Sequence, residues 1–391
     1  MTADLGNLSS LVDGDRLAAL TLRLVKIRSY PGEETPIAAD YAQLLTNAGA
    51  DAELVTTVPG SPSVVARAGA SSGPCLQLSG HLDTAPLPHE PPTISGDLLY
   101  GRGACDMKAG LAAIVETTRV LSPVLHDLGG QLLVTAYGLH EGAGLAPMHA
   151  PLGDLLAAGY KGDAAIVCEG PRQMLPIVGK GSLIFRVDIT RPAGVPDHEL
   201  RAIGSPNPIL AALRWIDLAH KAVASSKLHH AVLGDETLFV GSIHGGALYN
   251  TVPENVIIEG TRRYPPPRSF DEVVTELDEV SAAVENEFGV RVSTDFERSG
   301  QPFSLSEDES ILVSLRRAHK AVLGEQLPFG YQIFASDINH FVCNGRIPTA
   351  AYGVDPERGH ATPEFISLSE LLLVTRVLVL AATLFFQASS R

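Results

Sequence analysis

Three short apolar runs constrain the fold of this chain more than any other feature, because each ends on residues of metal-ligand type. The first carries Leu76 and Leu78, closes at Gly80 and releases His81. The second, 131–137, releases His140 and Glu141, and the third, 164–168, releases Glu169. Runs of this length and texture read as buried strands. Helical periodicity at 35–48 and 108–120 alternates with them. The pattern predicts an α/β fold, and open α/β sheets take their ligands beyond the strand ends.

At 391 residues the chain is long for a single core. The texture changes near 181. A strand at 182–189 is followed by a Pro/Gly-rich loop holding His198, a helix at 209–224, strands at 238–244 and 255–261, and a helix at 270–288. That order predicts a small α+β domain inserted into the first. After about 291 the α/β texture returns, so the expected division is 1–178, 179–292 and 293–391. A net charge of −15 argues against a nucleic-acid partner and against an anionic membrane surface. The four cysteines form no CxxC and no disulfide framework, and residues 1–20 have no signal-peptide pattern. A reducing, cytoplasmic compartment is expected. The apolar run 371–386 is short for a span of ~20 residues and contains Arg376, so it reads as a buried closing helix, not a membrane span.

Around His81 the pattern is HxD. With a side-chain period of two, Asp83 falls on the same face and can accept from one imidazole nitrogen while the other points at a metal. A second acid, Asp106, stands in a glycine-flanked loop before a long apolar helix. Together with Glu141, Glu169 and His360 these make two imidazoles and three carboxylates. Two divalent ions ~3.5–4 Å apart need a bridging carboxylate and further ligands on each, and five such residues divide into one bridge plus one His and one acid per ion. Zn2+ suits a mixed N/O set with a position left for water, and Co2+ or Mn2+ could use the same ligands. No P-loop and no GxSxG is present to suggest other chemistry.

These residues stand in GHLDTAP at 80–86, GRGACDMKAG at 101–110, His140 with Glu141, Glu169, and GH at 359–360 before ATPEF. Further on, Gly245 and Gly246 precede NTVP at 250–253, and Arg263 follows. Across nearly its whole length the chain resembles the M20 metallopeptidase family, the group of aminoacylases, acetylornithine deacetylases, succinyl-diaminopimelate desuccinylases and glutamate carboxypeptidases. The resemblance implies a catalytic α/β/α domain with a central mixed sheet and an inserted ferredoxin-like lid that also builds a homodimer. It implies His81 and Glu169 on one ion, Glu141 and His360 on the other, Asp106 bridging, and Asp83 orienting His81. In the lid, His198 resembles the histidine that reaches the other subunit's site and polarises the scissile carbonyl. Asn250 and Arg263, or its neighbour Arg262, resemble the residues that hold the carboxylate of a small-molecule substrate.

One position departs from the family. Where two acids usually stand in sequence, this chain has His140 followed by Glu141. The first acid is the family's general base. An imidazole, with an ordinary pKa of ~6.5, can move a proton near neutrality, and two nearby cations would favour its neutral form. The expected activity is that of a dinuclear metal-dependent amidohydrolase, a deacylase or peptidase that uses a metal-bridging hydroxide on an N-acyl amino acid or small peptide, with His140 as base. The alternatives are a metal-binding protein without hydrolysis, or a lyase or acyl transferase on the same fold.

Overall fold

The computed structural model describes residues 5–70, 72–142, 149–194, 196–354 and 358–389. The chain forms two compact units: Met1–Ile177, Leu305–Gly330 and His340–Arg391 make the first, and Val178–Ser304 with Tyr331–Asn339 the second.

The first unit is built on a six-stranded mixed sheet, in the spatial order Asp51–Val58, Ser61–Gly69, Gln131–Tyr137, Cys75–His81, Ala164–Val167, Thr349–Ala351. Cys75–His81 lies at its centre and is parallel to both neighbours. All but its first residue are buried, as in a strand covered on both faces. Register decides what emerges where. His81 is level with Tyr137, and Ser79 with Val167, so three parallel strands run out at one edge of the sheet. His81, the 138–141 turn and Glu169 therefore leave the sheet side by side.

Helix Ala109–Leu121 packs on this sheet and is buried almost throughout. Its small residues permit close approach: at Gly110 a Cβ would collide with the carbonyl of Cys168. Helix Leu368–Ser389 covers Ala109–Leu121 and Ser310–Leu323. At 22 residues it has the length and hydropathy of a membrane span. Its apolar positions, among them Leu371, Val374, Leu378, Ala382 and Phe386, are instead buried in the core of its own unit.

The second unit has the chain order βαββαβ. Its four-stranded antiparallel sheet runs Thr237–Gly245, Asn255–Tyr264, Gly181–Thr190, Arg291–Gly300 in space. Helices Pro208–Ser225 and Phe270–Phe288 pack together, with Trp215, Leu277 and Val284 in one core with Phe185, Val187 and Ile258. A capping box at Ser269 and Glu272 starts the second helix, and Gly289 in the left-handed region ends it. The expected boundary at 292 falls inside this unit. Arg291–Gly300 pairs with Gly181–Thr190 along its length, so the sheet gains a fourth strand and the unit continues to Ser304.

Candidate metal centre

Asp106 lies at the middle of the cluster. Its Oδ1 is 2.9 Å from His81 Nε2, and its Oδ2 is 3.3 Å from His360 Nε2. Each imidazole then has an acid of its own: Glu169 Oε2 lies 3.9 Å from His81 Nε2, and Glu141 Oε2 lies 2.9 Å from His360 Nε2. Ligand atoms of His81, Asp106 and Glu141 all fall within 4.8 Å of one another, as do those of His81, His140 and Glu169. The cluster grades from buried His81 to half-exposed His360, whose side chain is 52% exposed, so one side is open to solvent.

The electrostatics follow from this packing. Burial would pull the His81 imidazole down, but hydrogen bonds to Asp106 and Asp83 and the charges of Asp106 and Glu169 push it well above its ordinary value. The His360 imidazole is pushed up to about 9, chiefly by its hydrogen bond to Asp106 and then by Glu141. Burial would raise the Asp106 carboxyl; hydrogen bonds from His360 and His81 hold it well below the usual carboxylate range. Glu141 is raised by burial and by the Asp106 charge. Three carboxylates gathered this closely call for compensating positive charge. Their oxygens and the two ring nitrogens are the donor set that small divalent cations take.

His81 Nδ1 is held at 3.0 Å by the main-chain carbonyl of Asp83, with the Asp83 carboxylate Oδ1 at 3.4 Å. The HxD spacing by itself predicts only the carboxylate there. The other oxygen, Oδ2, accepts from the Glu141 N–H at 2.8 Å, so Asp83 ties two strand-end loops together. The His140 ring lies flat on His81, with centroids 4.0 Å apart and planes within 4°. His149 meets His140 edge-on at 4.8 Å, and His340 lies 4.6 Å from His149. His149 and His340 are both buried.

Three residues that the sequence reading assigned no role hold these loops. Glu34, fully buried, accepts from the Leu139 N–H at 3.1 Å. A side chain at Gly138 would strike the Glu34 carboxylate, so glycine is required where the strand turns towards His140. Lys108 donates to the Ile27 carbonyl at 2.5 Å, and burial pushes its amine down to about 7. Glu364, in the ATPEF segment, accepts from the backbone N–H groups of Cys105 and Asp106 at 2.9 and 3.1 Å. The only sequence signal for any of them is an acid or a lysine inside a glycine-rich motif or a turn.

His198, Asn250 and Arg263 belong to the second unit. His198 is exposed, and its Nδ1 accepts from the Leu200 N–H at 3.4 Å. It forms a bridge with Thr251, and the Glu199 N–H reaches the Asn250 carbonyl at 3.0 Å, so the His198 and Asn250 segments lie together. Arg262 is buried and paired with Glu236 at 2.5 Å and Glu276 at 3.2 Å, which occupies its guanidinium within the unit. Arg263 is half-buried and makes no ion pair among the described residues.

The model of the peptidase family M20/M25/M40 matches residues 77–384. A succinyl-diaminopimelate desuccinylase of Methylorubrum extorquens is 26% identical over 381 residues, covering 92% of this chain and 96% of that one. Aminopeptidase PepT from Bacillus cereus superposes with a TM-score of 0.75 at 18% identity, over 96% of this chain and 99% of its own. The YXEP protein of Bacillus subtilis, described as a dinuclear metal-binding peptidase of the M20 family, superposes with a TM-score of 0.69 at 17% identity, over 96% and 98%. The strand-end acids and histidines, the sheet that delivers them and the match over residues 77–384 agree: the chain belongs to the M20/M25/M40 peptidase family and is a metal-dependent hydrolase.

Proposed function

We propose that this protein holds two divalent ions, preferably Zn2+, and hydrolyses the amide bond of an N-acyl amino acid or small peptide with a free carboxylate. The observation that carries the reading is the Asp106 carboxylate, which spans His81 and His360 with one oxygen to each while each imidazole keeps its own acid. In this reading His81 and Glu169 hold one ion, Glu141 and His360 the other, and Asp106 joins them. Bound ions of this kind supply Lewis acidity and a water that is nucleophilic at neutral pH.

His140 accepts a proton from the attacking water and returns it to the leaving amine. Its place against His81 supports this. Asp83 orients His81. Arg263 and Asn250 bind the substrate carboxylate, and Arg263 is favoured over Arg262 because Arg262 is already paired. His198 polarises the scissile carbonyl in the site of a second copy. No disulfide joins the four cysteines among the described residues, which suits a reducing, cytoplasmic setting.

The test is turnover of a panel of N-acyl amino acids, including N-succinyl compounds, by metal-loaded protein in 18O-labelled water. The reading expects metal-dependent release of an acid carrying solvent oxygen. Tight metal binding without turnover would favour the second reading, a non-hydrolytic metal protein, to which the imidazole at 140 lends support. Product without solvent oxygen would point to a lyase or acyl transferase.

A further inference from the structure

The Glu364 carboxylate is 1% exposed and accepts four hydrogen bonds. Oε1 takes the N–H groups of Cys105 and Asp106 at 2.9 and 3.1 Å. Oε2 takes the N–H of Gly103 at 3.1 Å and Nη1 of Arg102 at 2.7 Å. Three backbone N–H groups and one guanidinium of a single loop therefore converge on one carboxylate, and only a group with two acceptor oxygens can serve them all. Its backbone completes the lock. The Glu364 carbonyl accepts from the Gly101 N–H at 3.1 Å, and Phe365 pairs with Tyr100 in a short sheet.

The same residue fixes the other side. Glu364 lies four positions after His360, and Arg102 also donates from Nη2 to the Ala361 carbonyl at 3.1 Å. The segments carrying Asp106 and His360 are thus fastened through one buried Glu–Arg pair, far from each other in sequence. Remove the carboxylate and three N–H groups lose this acceptor, while the Arg102 guanidinium keeps its bonds to the Leu87 and Ala361 carbonyls but loses its counter-charge.

We propose that Glu364 is a positioning residue for the metal centre: it sets the bridging carboxylate of Asp106 and the imidazole of His360 at a binding separation. The inference rests on the reading of the site given above. Groups that orient metal ligands typically contribute ~10–100-fold in metal affinity.

The experiment is a Co2+ titration of the metal-stripped full-length protein, followed by visible absorption and held well below the unfolding temperature of each variant. Glu364→Gln keeps the shape and removes the charge. It is expected to bind Co2+ ~10–100-fold more weakly and with an altered visible band, while far-ultraviolet circular dichroism stays native. Glu116→Gln is the control. Glu116 is likewise buried and paired with Arg16 and Arg119, so its loss should lower stability without moving Co2+ affinity. Folded Glu364→Gln with wild-type affinity and spectrum would overturn the proposal. If Glu364→Gln does not fold, Glu364→Asp decides: weakened Co2+ binding in folded protein supports the role, and unchanged binding overturns it. Wild-type protein that takes up no Co2+ would instead overturn the underlying reading of the site, and this inference with it.

Discussion

Two side chains carry most of the chemical argument. Asp106 touches both imidazoles, so Asp106→Ala is expected to release the ions and not merely to slow turnover. Elemental analysis of the purified variant checks this, and a wild-type metal content would contradict the bridging role. His140 is the departure from the usual acid. If it moves the proton, His140→Ala should reduce turnover by ~10²–10⁴ with metal content intact. His140→Glu should keep or raise activity; an inactive His140→Glu with both ions bound would show a pocket built for imidazole and another task. If His360 holds an ion as proposed, it contributes to the pH response of metal uptake. In the metal-free protein Asp106 and Glu141 push its pKa up to about 9, so below that pH a proton must leave before a cation can bind. The His81 imidazole, also raised well above its ordinary value, adds to this, so affinity should rise with pH through about 9. Calorimetry at pH 8 in two buffers of different ionisation enthalpy should show proton release on Zn2+ binding, and no release would contradict the assignment.

At the scale of elements, the strand ends were legible because buried strands are short, apolar and glycine-bounded, and their parallel register does the rest. What stayed hidden is what the chain supplies from a distance. The link 27–34 between the first two helices reads only as a break at Pro31 and Gly32. In the folded unit Ser29 bonds the Leu82 carbonyl at 2.8 Å, Glu34 holds Leu139, and Ile27 receives Lys108. No local pattern announces contacts made across fifty to a hundred positions. Arg291–Gly300 was missed for a different reason. It is an edge strand rich in charged and hydroxyl residues, so apolar alternation is weak. The opposite edge, Thr237–Gly245, makes its own prediction. It exposes Phe239 and Ile243, and helix Pro208–Ser225 of the same unit exposes Ile209, Leu210 and Leu213. An apolar unpaired edge is a template for a second copy. Phe239→Lys with Leu213→Lys should convert a dimer to a monomer in sedimentation velocity; a wild type that sediments as a monomer would remove the dimer from the account.

In the molecule as a whole, one sheet gathers the segments around one cluster of five side chains. The fold class was readable because His81, Glu141 and Glu169 fall at the ends of apolar strands, and the family was readable from the motifs GHLDTAP at 80–86 and GRGACDMKAG at 101–110. The substrate was not readable, since no motif specifies the surroundings of Arg263, the residue proposed to bind its carboxylate. The claim that bears the most weight is the pair of ions about Asp106. Its most direct measurement is anomalous diffraction at the zinc edge from Zn2+-loaded crystals, with elemental analysis of the same protein. Two peaks per chain, one beside His81 and Glu169 and one beside Glu141 and His360 with Asp106 between them, is the predicted result. A single ion, none, or ions bound away from Asp106 would contradict it.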